Sequence, residues 1–323
     1  MLKKNYNHNI HNRAIASVPF LSQKKVKLQK KFEMNPWFIT GFTDAEGCFT
    51  NSIRRDNAMN LGWSVEQAFS IGLHKTDKPL LQEFKNFLKV GSISKQGSQS
   101  IQFRVRSVKD LGVIIDHFDK YPLITEKLLN YKLFKQIFKL KLNKEHLTNE
   151  GLGKIVAIKA ITNQGLSPEL QLAFPEVVQM TIPLVNNQES YGPDWLAGFT
   201  SGEGCFFINF IKTKTRFGVV VQLVFQLTQH SRDEKLMKSL IKYLNCGHIY
   251  KMGELLIFKV TKFDDIAHKI IPFFKNHKIQ GVKAKDFNDF CNAAEIIKEK
   301  GHLTLEGLNK IRELKQGMNR QRK

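Results

Sequence analysis

The chain has 323 residues, 42% of them hydrophobic, and carries 50 Lys and Arg against 29 Asp and Glu, a formal net charge of +21 with a pI near 9.7. That length and apolar content suffice for two compact domains, and no apolar run reaches the roughly 18 residues of a membrane span. The charge favours a polyanionic partner, nucleic acid ahead of an anionic membrane, over a basic surface kept for solubility alone.

Residues 1–32 hold eight Lys or Arg and no Asp or Glu. This leader is expected to be disordered and outside the fold; a nucleic-acid arm, a transit peptide and read-through from an upstream coding segment all fit it. A helix is predicted next, opening at Asn35-Pro36 with proline early in the first turn. It ends at Gly47, the usual C-terminal glycine position. Strands follow at 48–55 and 63–73. In the helix after them, Leu80, Leu81, Phe84, Phe87 and Leu88 fall on one face. Two further strands, around 91–94 and 101–107, precede helices that run to the end of this half. Residues 177–192 lose periodicity and carry Pro, Asn and Gly, which reads as a linker. The order then recurs: a helix from Gly192-Pro193 to Gly204, strands at 205–213 and 217–228, and the rest in turn.

The recurrence is a duplication. Gly41 and Gly198 are 157 residues apart, as are Glu46 and Glu203. FSIGLHKTDKPLLQEFKNFLKVGSI from Phe69 matches FQLTQHSRDEKLMKSLIKYLNCGHI from Phe225 at an offset of 156, the offset that also relates Lys127 to Lys283 and HLTNEGLGKI to HLTLEGLNKI. A near-constant offset over about a hundred residues marks a repeated domain, and two copies suggest a pseudo-twofold pair. The predicted fold is α+β: two αββαββα repeats, 33–176 and 193–323, each an antiparallel sheet with helices on one side. The four cysteines, Cys48, Cys205, Cys246 and Cys291, form no CxxC pair, which argues against a zinc site or disulfide framework.

The first helix of each repeat carries the chemistry. Gly41 with Ala45, and Gly198 with Gly202, lie four apart on one face, where small residues let two helices approach closely. Glu46 and Glu203 occupy the last turns, at the negative end of each macrodipole, and pairing the helices would bring the two anions together. A structural role would favour Lys or Asn there. A divalent cation removes the conflict, taking carboxylate oxygens together with the backbone carbonyls of Ala45 and Gly202 at the same helix ends. His146 and His302 sit in helix-start contexts that capping or packing explains.

The segments WFITGFTDAEG and WLAGFTSGEG resemble the LAGLIDADG motif, and residues 33 to 320 resemble a single-chain, two-repeat LAGLIDADG homing endonuclease. The resemblance implies a monomeric enzyme whose two sheets form a saddle over double-stranded DNA. It would hydrolyse phosphodiester bonds at a long, rare, asymmetric site with Mg²⁺, which Mn²⁺ or Ca²⁺ can replace in the sites. It also implies that Glu46 and Glu203 bind the metal. Lys127 and Lys283 match a basic pocket position suited to stabilising charge on the phosphate, with a plain phosphate contact a close second reading of each. Gln229 matches a polar position that orders water, and its first-half counterpart is Leu73, so the site would be asymmetric.

Period-2 counting from the glutamates, taken with the resemblance, gives the DNA-facing residues. In the first half these are Cys48, Thr50, Ser52 and Arg54 with Ser64, Glu66, Ala68 and Ser70. In the second they are Cys205, Phe207, Asn209 and Ile211 with Gln222, Val224, Gln226 and Thr228. Lys75, Lys95, Arg104, Arg106, Lys212, Lys214 and Arg216 are phosphate-contact candidates. The competing functions are an intron-RNA maturase and a DNA-binding protein without cleavage. Mitochondrion is the expected compartment, because such enzymes are often encoded in organelle introns and the abundance of Lys, Asn, Ile and Phe fits an AT-rich genome.

Overall fold

The computed structural model describes residues 34–162, 165–177, 191–214 and 216–319. The leader and most of the expected linker lie outside the described residues. The first repeat begins with α1 (Pro36–Glu46), β1 (Gly47–Arg55) and β2 (Trp63–His74), followed by α2 (Lys78–Leu88), β3 (Ser92–Lys95) and β4 (Ser100–Val105). The helices α3 (Val108–Lys120), α4 (Lys127–Leu142), α5 (Asn149–Ala160) and α6 (Pro168–Ala173) complete it. The second repeat runs α7 (Pro193–Glu203), β5 (Gly204–Lys212), β6 (Val219–His230), α8 (Glu234–Leu244), β7 (His248–Met252) and β8 (Leu255–Val260). There α9 (Phe263–Asp265), a π-turn and α10 (Ile271–Asn276) replace α3, and α11 (Lys283–Lys298) and α12 (Leu305–Gln316) follow. The expected order holds, with strand ends shifted by one or two residues.

Each sheet is antiparallel and four-stranded, in the orders β1-β2-β4-β3 and β5-β6-β8-β7. Phe69, Phe103, Phe206, Phe225 and Phe258 turn to the helix side and are fully buried. The face of α2 packs as its spacing predicts: Leu80, Leu81, Phe84 and Leu88 are buried and Phe87 is partly covered. A separate cluster beneath the outer ends of β1 and β2 joins Ile53 and Trp63 to Leu133, Ile137 and Ile155. The helix starts at α5 and α12 are capped by Thr148 and Thr304, which accept from the backbone N–H of Gly151 and Gly307 at 3.0 and 3.1 Å. The neighbouring His146 and His302 take no part in capping. Among the described residues no helix is long and apolar enough to cross a membrane, and all four cysteines are free thiols.

The repeats meet through α1 and α7. A Cβ on Gly41 would stand 2.0 Å from the Trp195 carbonyl oxygen, and one on Gly198 would stand 2.1 Å from that of Phe38. The two contacts are reciprocal, as a twofold requires. Gly47 and Gly204 correct one expectation. Neither is left-handed: φ is −74° and −69°, and the chain passes straight from helix to strand. Glycine is needed because a Cβ would stand 2.4 Å from the Thr43 or Thr200 Cγ2.

Candidate active site and nucleic-acid interface

The close approach of α1 and α7 sets the site. Both helices end in glutamate, and their last turns pack so tightly that a Cβ on Gly202 would lie 2.3 Å from Ala45 Cβ and 3.6 Å from Glu46 Oε1. Burial, and then the charge of Glu46, raise the Glu203 carboxyl above its ordinary range, while Lys283 and Lys127 oppose the rise.

Both lysines are brought to these helix ends. The Lys127 ammonium donates to the carbonyls of Thr43 at 2.9 Å and Ala45 at 3.1 Å, and Lys283 donates to the carbonyl of Gly202. They sit inside the site and bridge to the opposite glutamates electrostatically. Burial lowers the pKa of each; Asp44, then Glu46 and Glu203, pull Lys127 back up, and Glu46 and Glu203 do so for Lys283. Capping the carbonyls with a cation also satisfies the negative helix ends. The carbonyl oxygens of Ala45 and Gly202, expected as metal ligands, therefore already accept from lysine; a carbonyl has two lone pairs, so one remains on each.

The turns that carry the lysines are anchored from both repeats. Asp44 accepts from the backbone N–H of Ile124 and Thr125 at 3.0 and 3.2 Å, from the Thr125 hydroxyl at 2.6 Å and from the Trp195 indole at 2.8 Å. Its counterpart Ser201 accepts from the Gln280 N–H at 3.1 Å. Asp77 accepts from the Val282 N–H at 2.7 Å, and Asp233 from the Glu126 N–H at 2.8 Å. None of these four anchors was singled out from sequence. The signal for Asp77 and Asp233 was present, as an acid repeated at the offset of 156 in KTD and SRD.

Burial pushes Asp233 from 3.8 up to about 6. A raised folded-state pKa contributes stability that is complete below the unfolded value and lost as pH rises through the folded one. Asp233→Asn keeps an acceptor oxygen and cannot ionise. It is expected to melt with wild type near pH 4 and about 5 °C above it at pH 8, the gap opening between those limits. Thermal melts across that range check this, and a pH-independent difference would refute it.

A cleft of about 1230 Å³ opens beside the glutamates and draws on both repeats: Glu46, Leu73, His74 and Asp77 from the first, Gly202 and Lys283 from the second. Leu73 thus lines the cleft, whereas its counterpart Gln229 is not among the cleft's lining residues. The Gln229 side-chain oxygen accepts from the His230 N–H at 3.3 Å. By register Gln229 shares the face of Phe225 and Leu227, opposite to that of Gln226 and Thr228.

Within each sheet, the register puts the candidates named for that half on one face. Cys48, Thr50, Ser52 and Arg54 lie opposite Ser70, Ala68, Glu66 and Ser64, and Cys205, Phe207 and Asn209 lie opposite Gln226, Val224 and Gln222. Val224 is a correction: it is 0% exposed, so neighbouring side chains cover it and it offers no contact surface. Ala68 and Ser70 are nearly covered as well. Arg54 pairs with Glu66 at 3.2 Å, both exposed. A recess of about 210 Å³ on this face is lined by Thr50, Ser52, Glu66, Ala68, Arg104 and Arg106, and the Arg104 Nε is buried there without a hydrogen-bond partner. Lys75, Lys95, Lys212, Lys214 and Arg216 are exposed. The outer strands add Gln102, Ser92, Ser94, Lys259, His248 and Tyr250 to the same face. The alternation in IQFRV and LLIFKV was the signal for the inner members of that set.

A family model described as LAGLIDADG endonuclease matches residues 39–138 and 196–294, one copy per repeat. The chain belongs to the LAGLIDADG endonuclease family. Among its relatives is probable intron-encoded endonuclease 2 of Neurospora crassa, 43% identical over 300 residues; the match covers 88% of this chain and 65% of that protein's length, less than two thirds of it. The crystal structure of the LAGLIDADG homing endonuclease I-SmaMI bound to cleaved DNA superposes with a TM-score of 0.88 at 49% identity, over 90% of this chain and 98% of that one. The same enzyme bound to its uncleaved DNA target in the presence of calcium ions superposes with a TM-score of 0.86 at 49% identity, over 88% of this chain and 99% of that one.

Proposed function

We propose that this chain is a site-specific double-strand DNA endonuclease, hydrolysing phosphodiester bonds at a long, asymmetric site with Mg²⁺ as the working cation. The observation that carries this reading is the convergence of Glu46 and Glu203, one from each repeat, between Lys127 and Lys283 at the join of two polar, basic sheet faces. The carboxylates fit a divalent cation. Glu203 is held in an environment that disfavours its charge, and hard cations take such oxygens. Among the described residues no three His, Cys, Asp or Glu side chains converge, so the protein offers two carboxylates and, beside them, the free lone pairs of Ala45 and Gly202.

A cation held there supplies Lewis-acid stabilisation of the phosphate and a more acidic bound water. The chain itself supplies orientation and charge. Lys127 and Lys283 are fixed at the helix ends, where an ammonium stabilises negative charge developing on a phosphate. Gln229 orders water on one side of the site only, and Leu73 excludes it on the other, so the two strands are cut at unequal rates. The exposed Lys and Arg hold the phosphate backbone, while the polar residues of the sheet faces read base edges. A strand of about ten residues spans about 33 Å, close to one DNA turn of about 34 Å, so two sheets cover about two turns. We assign residues 33–176 and 193–323 to the two repeats and 177–192 to their linker, with the enzyme acting as a monomer in the mitochondrion.

The test is cleavage of a randomised duplex library with Mg²⁺ and again with EDTA. A metal-dependent double-strand break at one recovered sequence is expected; no break under any divalent cation refutes the nuclease reading. Affinity for that duplex is expected to fall about 10³-fold between 50 and 200 mM salt, as six or more phosphate contacts release their counterions. A flat salt dependence would remove the basic faces from the interface.

A further inference from the structure

Each lysine-bearing turn has one anchor from its own repeat and one from the other. The turn before Lys127 is held by Asp44 of the first repeat and Asp233 of the second; the turn before Lys283 is held by Ser201 of the second and Asp77 of the first. The crossing bonds end on Glu126 and Val282, the residues immediately preceding the two lysines. They are equivalent under the 156-residue offset, so the exchange is symmetric.

The carboxylates sit in matching turns. Asp77 closes a short 3₁₀ turn, Lys75–Asp77, that follows the end of β2, and Asp233 closes Ser231–Asp233 after β6. In each turn the histidine that ends the strand accepts from a backbone N–H, His74 from Thr76 and His230 from Arg232. His74, Thr76 and Asp77 line the cleft together with Glu46 and Lys283. The fit on the receiving side is tight: a Cβ on Gly281 would stand 2.6 Å from the Asp77 carboxylate. Both amides are partly buried, and a backbone N–H shielded from water that loses its partner is costly to leave unpaired, so removing either carboxylate loosens the opposite turn.

We propose that Asp77 and Asp233 are positioning residues that act across the pseudo-twofold, each fixing the lysine of the other repeat's site and linking the strand end of one half to the chemistry of its partner. The proposal rests on the nuclease reading for its consequence, and on the crossing bonds alone for its geometry. A strand end displaced by an ill-fitting DNA half-site then misplaces the lysine of the opposite half. Cutting of both strands becomes dependent on recognition by both halves.

Two measurements on the full chain test this. The first is amide hydrogen exchange without DNA. Native protein is expected to protect the Glu126 and Val282 amides at least 100-fold. Asp77→Ala is expected to speed exchange at least tenfold in residues 280–284 and leave 124–128 unchanged, and Asp233→Ala to do the reverse. The second is cleavage of the recovered target duplex, end-labelled on either strand. Each alanine variant is expected to slow one strand at least tenfold, the two variants affecting opposite strands, with the dissociation constant within threefold of native. Asp77→Asn and Asp233→Asn, which keep the acceptor oxygen, are expected to restore cutting to within threefold. Unprotected amides in the native chain, exchange altered only within the mutated repeat, equal slowing of both strands, or asparagine variants no better than alanine would each overturn the proposal. If the native protein cuts no duplex, the nuclease reading fails while exchange still decides the anchoring. If an alanine variant does not fold, native protection and the asparagine variants decide it.

Discussion

Glu46→Gln and Glu203→Gln are each expected to slow DNA cleavage by about 10²- to 10³-fold, the range found when one charge-stabilising group is removed from a preorganised site. DNA affinity should change less than threefold. Glutamine keeps the volume and most of the contacts of the side chain, so the close packing of Ala45, Glu46 and Gly202 survives. What it removes is the negative charge that the proposed cation site beside Lys127 and Lys283 requires. The faces proposed to contact DNA lie along β1, β2, β5 and β6, and neither carboxylate belongs to those strands. Strand-specific cleavage and gel-shift measurements on the same preparations separate the two effects. Loss of binding in both variants would make the glutamates structural, and cutting at the native rate in both would exclude them from the chemistry.

Much of the fold is legible in the sequence because the duplication shows most elements twice. The glycines at 41 and 198, and the glutamates five residues on, mark a helix pair with its charged ends together. The alternation along β1, β2, β5 and β6 separates a buried aromatic face from a polar one, as the register shows. Lys127 and Lys283 are visible only as a matched pair; their placement on the carbonyls of Ala45 and Gly202 depends on how α4 and α11 return to the helix ends. Period-2 counting gives the face of Val224 but not its burial, which depends on the neighbours around it. Asp44 is hidden for a different reason. Its equivalent is Ser201, so duplication gives no hint that this acid holds a loop and the Trp195 indole. The crossing carboxylates Asp77 and Asp233 are repeated, but a repeat cannot say that each one's partner lies in the other half.

The α1–α7 junction supports both the fold and the site, so it carries the largest expected loss of stability. Gly198→Val would place its first side-chain carbon 2.1 Å from the Phe38 carbonyl oxygen and 2.9 Å from the Phe42 nitrogen. Both are backbone atoms inside α1, and they cannot move aside as a side chain would. Relief requires the helices to separate. That would expose Phe38, Phe42, Trp195 and Phe199, all but fully buried at present, and would draw Glu46 away from Gly202. Destabilisation of about 3 kcal/mol or more is expected, with loss of cleavage even in protein that remains folded. Gly41→Val should behave the same way, meeting the Trp195 carbonyl at 2.0 Å. Gly112→Ala and Gly153→Ala are the controls. Both glycines lie inside helices, α3 and α5, where a Cβ would have no neighbour within 4 Å, and alanine there is expected to stabilise by up to about 1 kcal/mol. Thermal melts of the four variants decide the matter. If Gly198→Val melts with wild type, the helices have room to part, and the close approach that brings Glu46 to Glu203 is not a requirement of the fold.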